Sequence, residues 1–156
     1  DSGLAEIFVA IKGTMIVLGT YFIQTLEINL TTIMGGIFIG VLSSLVLFIT
    51  SFPDFEADKA KGRKTLVISV GKQKATIVFW IFPIVVYSIL ISGIFYEIFP
   101  IYCIISLAMF PLIIKAGLLL NQNFDNVDKL IPAMSYTITF SRITGALFVI
   151  GFLLNL

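Results

Sequence analysis

Thr31-Thr-Ile-Met-Gly-Gly-Ile-Phe-Ile-Gly-Val-Leu-Ser-Ser-Leu-Val-Leu-Phe-Ile-Thr50 is an uncharged, mostly apolar run that ends abruptly at Ser51-Phe-Pro-Asp54-Phe-Glu56-Ala-Asp58-Lys59-Ala-Lys61-Gly62-Arg63-Lys64-Thr65-Leu66. A run of about 20 apolar residues is what an α-helix needs to cross the hydrocarbon of a bilayer. Hydropathy places four further spans near Ala5–Gln24, Ala75–Phe95, Tyr102–Leu120 and Thr137–Leu154. The expected fold class is therefore all-α: a polytopic transmembrane bundle of about five spanning helices. Residues 1–156 then form a single transmembrane domain with a charged loop over 51–74.

Composition agrees with segment length. Apolar residues make up 58% of the chain and charged ones 12%, and the mean hydropathy is +1.08. A soluble domain of this size could not hide so much apolar surface. The chain has no His, and its one Cys, Cys103, lies in an apolar stretch. Disulfides, imidazole catalysis and thiol or imidazole metal sites are thereby disfavoured, so any metal must be held by oxygen. The opening Asp-Ser-Gly-Leu-Ala-Glu lacks an initiator Met and a basic leader region, and the expectation is a start inside a longer protein.

The placement of charge orients the bundle. The connections Thr25–Leu30 and Tyr96–Ile101 are short and carry only Glu27 and Glu97, whereas Ser51–Lys74 and Asn121–Tyr136 are long and polar. With alternating spans the two long connections share a face with the amino terminus, and all ten basic residues fall on or nearer that face. The positive-inside rule makes it cytoplasmic in an integral, multi-pass protein of the cell membrane. Gly36 and Gly40, four apart, lay a smooth backbone strip along the second span for close helix contact. Pro83 and Pro111 lie inside spans, where kinks are expected. Tyr21, Tyr96 and Tyr102 near span ends suit the interfacial belt.

The charged loop carries the chemistry. If helix continues through it, Asp54 and Asp58 project from one face a turn apart, with Pro53 bending or restarting the helix. Like charges at that spacing repel unless a cation lies between them. Mg²⁺ is such a cation, taking one or two carboxylates plus the phosphates of a substrate. Lys59, Lys61, Arg63 and Lys64 follow at once, with Gly62 allowing a tight turn. Acid beside base suits a diphosphate: carboxylates hold the metal, and Lys or Arg neutralises the remaining charge. On spacing alone an equal alternative stands, a loop whose basic residues set topology and whose acids balance them.

The string Phe-Pro-Asp54-Phe-Glu-Ala-Asp58-Lys-Ala-Lys-Gly-Arg-Lys-Thr-Leu, followed by Gly71-Lys72, resembles the second aspartate-rich motif of the UbiA family of intramembrane prenyltransferases. Members similar to the 1,4-dihydroxy-2-naphthoate enzymes fit best. Gly3-Leu-Ala-Glu6-Ile-Phe-Val ahead of Gly19-Thr-Tyr21-Phe-Ile-Gln24-Thr, and Lys129-Leu-Ile-Pro-Ala-Met, fit the same subgroup, so the resemblance spans nearly the whole chain. Just before Asp54, where such members often carry Asn, this chain has Thr50-Ser51.

The resemblance implies half of a nine-helix bundle, its fifth to ninth helices. It also implies a chamber in which two aspartate motifs face each other around Mg²⁺ and an isoprenyl diphosphate, geranyl or longer. The family's first motif, NDxxDxxxD, has no counterpart here; Asp125 and Asp128 have the wrong spacing and no basic cluster. The amino-terminal helices bearing that motif are the expected partner, and without them the chain is expected to be inactive. Carried over, Asp54 and Asp58 become Mg²⁺ ligands and catalytic residues, and Lys59, Lys61, Arg63 and Lys64 candidates for the diphosphate, with Arg63 and Lys64 slightly favoured. Lys12 inside the first span faces a cavity or snorkels to the interface, and Tyr21 and Gln24 line the chamber or pack at the interface.

The implied reaction is Mg²⁺-dependent transfer of an isoprenyl group to an aromatic quinone-precursor acceptor within the membrane, with lipid around it and no nucleic-acid partner. Two rivals stand beside it. One is a transporter or channel subunit whose charged loop gates or docks, and the other a prenyltransferase acting on a glycerol-linked lipid or a haem precursor.

Overall fold

The computed structural model describes residues 4–155, so Gly3 of the string ending in Val9 lies outside the described residues. Every regular element among them is helical: α1 Ala5–Thr25, α2 Leu30–Thr50, α3 Phe55–Ala60, α4 Leu66–Val70, α5 Lys72–Val78, α6 Ile81–Phe95, a 3-10 helix Ile101–Met109, α7 Phe110–Asn123 and α8 Val127–Leu153. Among the described residues five stretches are long and apolar enough to span: Ala5–Thr25, Leu30–Thr50, Lys72–Phe95, Ile101–Asn123 and Val127–Leu153. The expected fold class stands.

The central helix is α2, which packs on α1, α6 and α8, while α8 also holds α7 and the 3-10 helix. More than half of the α2 span (56%) is buried, against 11% of α1. Ile7, Phe8, Ile11, Met15, Ile16 and Ile23 of α1 are exposed, an apolar surface that only lipid or further protein can cover. Phe38 of α2 stacks on Phe148 of α8 at 4.3 Å between ring centroids, and Phe99 meets the same ring edge-on at 5.0 Å.

The expected glycine strip brings α1 and α2 into backbone contact. Gly36 lies against Thr14, and Gly40 against the Ala10 carbonyl and the Thr14 hydroxyl, so that neither position leaves room for a Cβ without displacing its neighbour. Gly13 on α1 answers them from the other side, its own Cβ direction pointing at the Gly40 backbone.

Both prolines act on the carbonyl four residues back, where the ring forbids the normal helical bond. Phe79, four before Pro83, has its carbonyl taken instead by the Phe82 amide, and the third span breaks at Phe79–Trp80 between α5 and α6. Leu107, four before Pro111, accepts from the Phe110 amide, which is where the fourth span changes from 3-10 to α. A 3-10 stretch of nine residues is long for that conformation.

One boundary is corrected. The last helix begins at Val127, not near Thr137, so the expected long connection Asn121–Tyr136 shrinks to residues 124–126 between α7 and α8. Asn126 caps the new start, its side-chain oxygen accepting from the Lys129 amide at 3.1 Å. Asp128, Lys129 and Pro132 lower the hydropathy of these turns without preventing helix, and Pro132 lies inside α8.

Candidate active site

The charged loop is mostly helical. α2 ends at Thr50, residues 51–54 turn, and α3 restarts at Phe55, as a proline at position 53 demands. The Asp58 amide donates to the Asp54 carbonyl at 2.8 Å, which places the two aspartates one helical turn apart. Gly62 then takes φ +71°, a left-handed conformation that reverses the chain. The reversal lets the Arg63 amide donate to the Asp58 carbonyl at 2.9 Å and the Arg63 guanidinium reach Asp58 Oδ1 at 3.2 Å.

A cavity of about 330 Å³ gathers these groups. Asp54, Asp58, Arg63, Lys64 and Thr65 line it from the loop, Leu47, Thr50 and Ser51 from the end of α2, and Ala5 from the start of α1. The hydroxyls just before Asp54 are spent on their own helix: Thr50 donates to the Val46 and Leu47 carbonyls and Ser51 to that of Leu47.

The four basic candidates are divided by the Gly62 turn. Arg63 and Lys64 share the cavity with the aspartates, whereas Lys59 and Lys61 are exposed outside it. The Lys59 ammonium lies 5.8 Å from the centroid of Phe55, and Lys72 covers the same ring at 5.1 Å. Glu56 is exposed and lines a separate recess with Lys72, Lys74 and Asp125. Lys12 and Gln24 are exposed on α1. Tyr21 accepts from the Asn29 amide side chain at 3.0 Å and borders an apolar cavity with Gly35 and Phe148, away from the aspartates.

Beside the charged cavity runs an apolar groove of about 410 Å³, walled by Ala10 and Thr14 of α1, Ile37, Val41 and Ser44 of α2, and Ile81, Phe82 and Val85 of α6. Ile37, Val41 and Ser44 of α2 wall the groove, and Leu47 and Thr50 of the same helix, with Ser51 that follows it, wall the charged cavity, so α2 contributes to both spaces. Glu6 and Leu66 border the groove where it approaches the loop.

Among the described residues no three His, Cys, Asp or Glu side chains gather into a metal cluster. The donor set is a pair of carboxylates, which fits Mg²⁺, an ion that binds through one or two carboxylates and completes its shell with water and substrate phosphate.

A helical bundle with five apolar spans and an acid–base cavity at the foot of its central helix defines an integral membrane protein. The chain belongs to the UbiA prenyltransferase family, whose model matches residues 2–138. It is similar to the 1,4-dihydroxy-2-naphthoate octaprenyltransferase of Bacillus subtilis (strain 168), 39% identical over 71 residues, or 45% of this chain and 23% of that protein. The enzyme of the same name from Haemophilus influenzae is 37% identical over 76 residues, 48% of this chain and 25% of that protein. The matched stretches thus span about a quarter of these relatives' length. No solved structure matches the chain.

Proposed function

We propose that this chain carries one half of the diphosphate site of an intramembrane prenyltransferase that alkylates an aromatic quinone precursor of the naphthoate kind. The observation that carries the reading is the convergence of Asp54, Asp58, Arg63 and Lys64 on one cavity next to an apolar groove. Family membership and the naphthoate octaprenyltransferase activity of the two relatives support it. Residues 51–74 face the cytoplasm in this reading, since the basic residues cluster there. The facing aspartate motif that the resemblance implies would come from chain outside residues 1–156.

Asp54 and Asp58 would hold Mg²⁺, which when bound neutralises charge on the diphosphate oxygens. Arg63 and Lys64 stabilise the same charge as it develops. The allylic C–O bond breaks with its electron pair going to the departing pyrophosphate. An electron-rich aromatic carbon of the acceptor then bonds to the allylic carbon and loses its proton. The groove walled by α1, α2 and α6 takes the prenyl chain and keeps water from the cation.

Isothermal titration of geranylgeranyl diphosphate into the detergent-purified full-length protein, with and without Mg²⁺, tests this. Binding that requires Mg²⁺ and is lost in Asp58→Ala is the expected result. Binding indifferent to both would return the loop to a topological role and favour the transporter reading.

A further inference from the structure

We propose that Glu6 is a positioning residue for the diphosphate cavity, anchoring the segment that presents Arg63 and Lys64. The proposal rests on the reading of that cavity given above. Glu6 is 3% exposed. Both of its carboxylate oxygens stand 3.1 Å from the Leu66 amide nitrogen, which donates to them across sixty positions of sequence. Its own carbonyl accepts from the Ser44 hydroxyl at 2.7 Å. Glu6 is therefore held to α2 by its backbone and holds the loop with its side chain.

The geometry gives that bond a specific task. Arg63, Lys64 and Thr65 line the cavity in sequence and lead straight into Leu66. At their near end the segment is fixed by the Arg63 amide on the Asp58 carbonyl. At their far end Thr65 accepts from the Ile68 amide to start α4, which orders α4 internally but ties it to nothing else. The Glu6 bond is the one polar contact between α1 and this segment among the described residues. Burying a carboxylate on a single backbone donor is a costly way to stabilise a loop. What it supplies is register: Lys64 is held between an anchor on Asp58 and an anchor on Glu6, its backbone set for an anion in the cavity before one arrives.

The test compares Glu6→Ala, Glu6→Gln and Leu66→Pro in the full-length protein. It titrates geranylgeranyl diphosphate with Mg²⁺ and measures steady-state KM for each substrate separately. A loosened anchor should weaken diphosphate binding in Glu6→Ala by about tenfold, the cost of one lost hydrogen bond to a charged group, and leave the acceptor KM unchanged. Glu6→Gln keeps a carbonyl oxygen for the Leu66 amide and should stay within about threefold of wild type. Leu66→Pro removes the donor from the other side, placing proline at the first position of a helix where it is tolerated, and should repeat the Glu6→Ala loss. Wild-type binding in Glu6→Ala, or Glu6→Gln as weak as Glu6→Ala, overturns the anchor. If the wild type itself shows no Mg²⁺-dependent binding, it is the cavity reading that fails. Amide exchange at residues 64–66 then decides the anchor alone, with faster exchange in Glu6→Ala expected and unchanged exchange refuting it.

Discussion

Arg63 Nη1 stands 3.2 Å from Asp58 Oδ1, so a candidate diphosphate ligand is already paired with a candidate metal ligand across the Gly62 turn. The pair lies at the rim of its cavity, with the Arg63 side chain 66% exposed and that of Asp58 14%. An ion pair so open to water contributes little by itself, which leaves the guanidinium free to exchange its partner for a phosphate oxygen. The arrangement also separates Arg63 from Lys61, which is exposed outside the cavity. Arg63→Ala should weaken Mg²⁺-dependent diphosphate binding by about tenfold or more, as expected for a charge-assisted contact, and Lys61→Ala by less than about twofold. Equal losses in titrations of the two variants would mean that the loop attracts anions by net charge alone.

Gly62 makes that separation possible, and its φ of +71° is where a Cβ is penalised. Nothing lies within 4 Å of the Cβ it lacks, so the penalty is conformational and involves no clash. Gly62→Ala should cost about 1–2 kcal/mol of loop stability and loosen the turn that brings Arg63 back to Asp58. Gly62→Asn, which tolerates the left-handed region, should recover much of the loss. Diphosphate titration of both variants checks this, and an alanine variant binding like wild type would show that the turn does not set the cavity.

The five spans were legible because each is an apolar run near bilayer length, and the aspartate pair because four-residue spacing survives the restart of the helix at Phe55. The facing of Gly36 and Gly40 was legible too, although Gly13, which answers them, carries no signal until α1 is laid against α2. What escaped depends on contacts distant in sequence or on local polarity. The division of Lys59 and Lys61 from Arg63 and Lys64 follows from the direction the chain takes after Gly62, which composition does not encode. The bond from Leu66 to Glu6 joins positions sixty apart, and the only hint was an acidic residue in the first turn of an apolar helix. The start of α8 escaped because hydropathy reports where a helix meets lipid, not where it begins.

Gly40 tests the packing that brings α1 against the central helix. Its missing Cβ would collide with the Ala10 carbonyl, a backbone atom that cannot swing aside, and with the Thr14 hydroxyl at 2.6 Å. Gly40→Ala should therefore destabilise the bundle by about 1–3 kcal/mol, the usual range for overpacking. Gly19, on the same helix as Ala10, has nothing within 4 Å. Its replacement by Ala should be neutral or raise stability by about 0.5–1 kcal/mol through helix propensity. Thermal unfolding in detergent should order the variants Gly19→Ala, wild type, Gly40→Ala from most to least stable. The reverse order would show that α1 and α2 do not meet at this strip.

Asn126 distinguishes the observed start of α8 from the later one that hydropathy suggests. Its side-chain oxygen accepts from the Lys129 amide at 3.1 Å, satisfying one of the donors that a helix start leaves free. Were the helix to begin near Thr137, Asn126 would lie in a loop well before it and its side chain would matter little. Asn126→Ala should instead cost about 1 kcal/mol and speed amide exchange over residues 127–134, while Asn126→Asp, still a good cap and now aligned with the helix dipole, should hold both near wild type. Because α8 packs along α2 and α7, fraying at its first turns should leave the aspartate cavity intact, so diphosphate binding by Asn126→Ala is expected to match wild type even as its melting temperature falls.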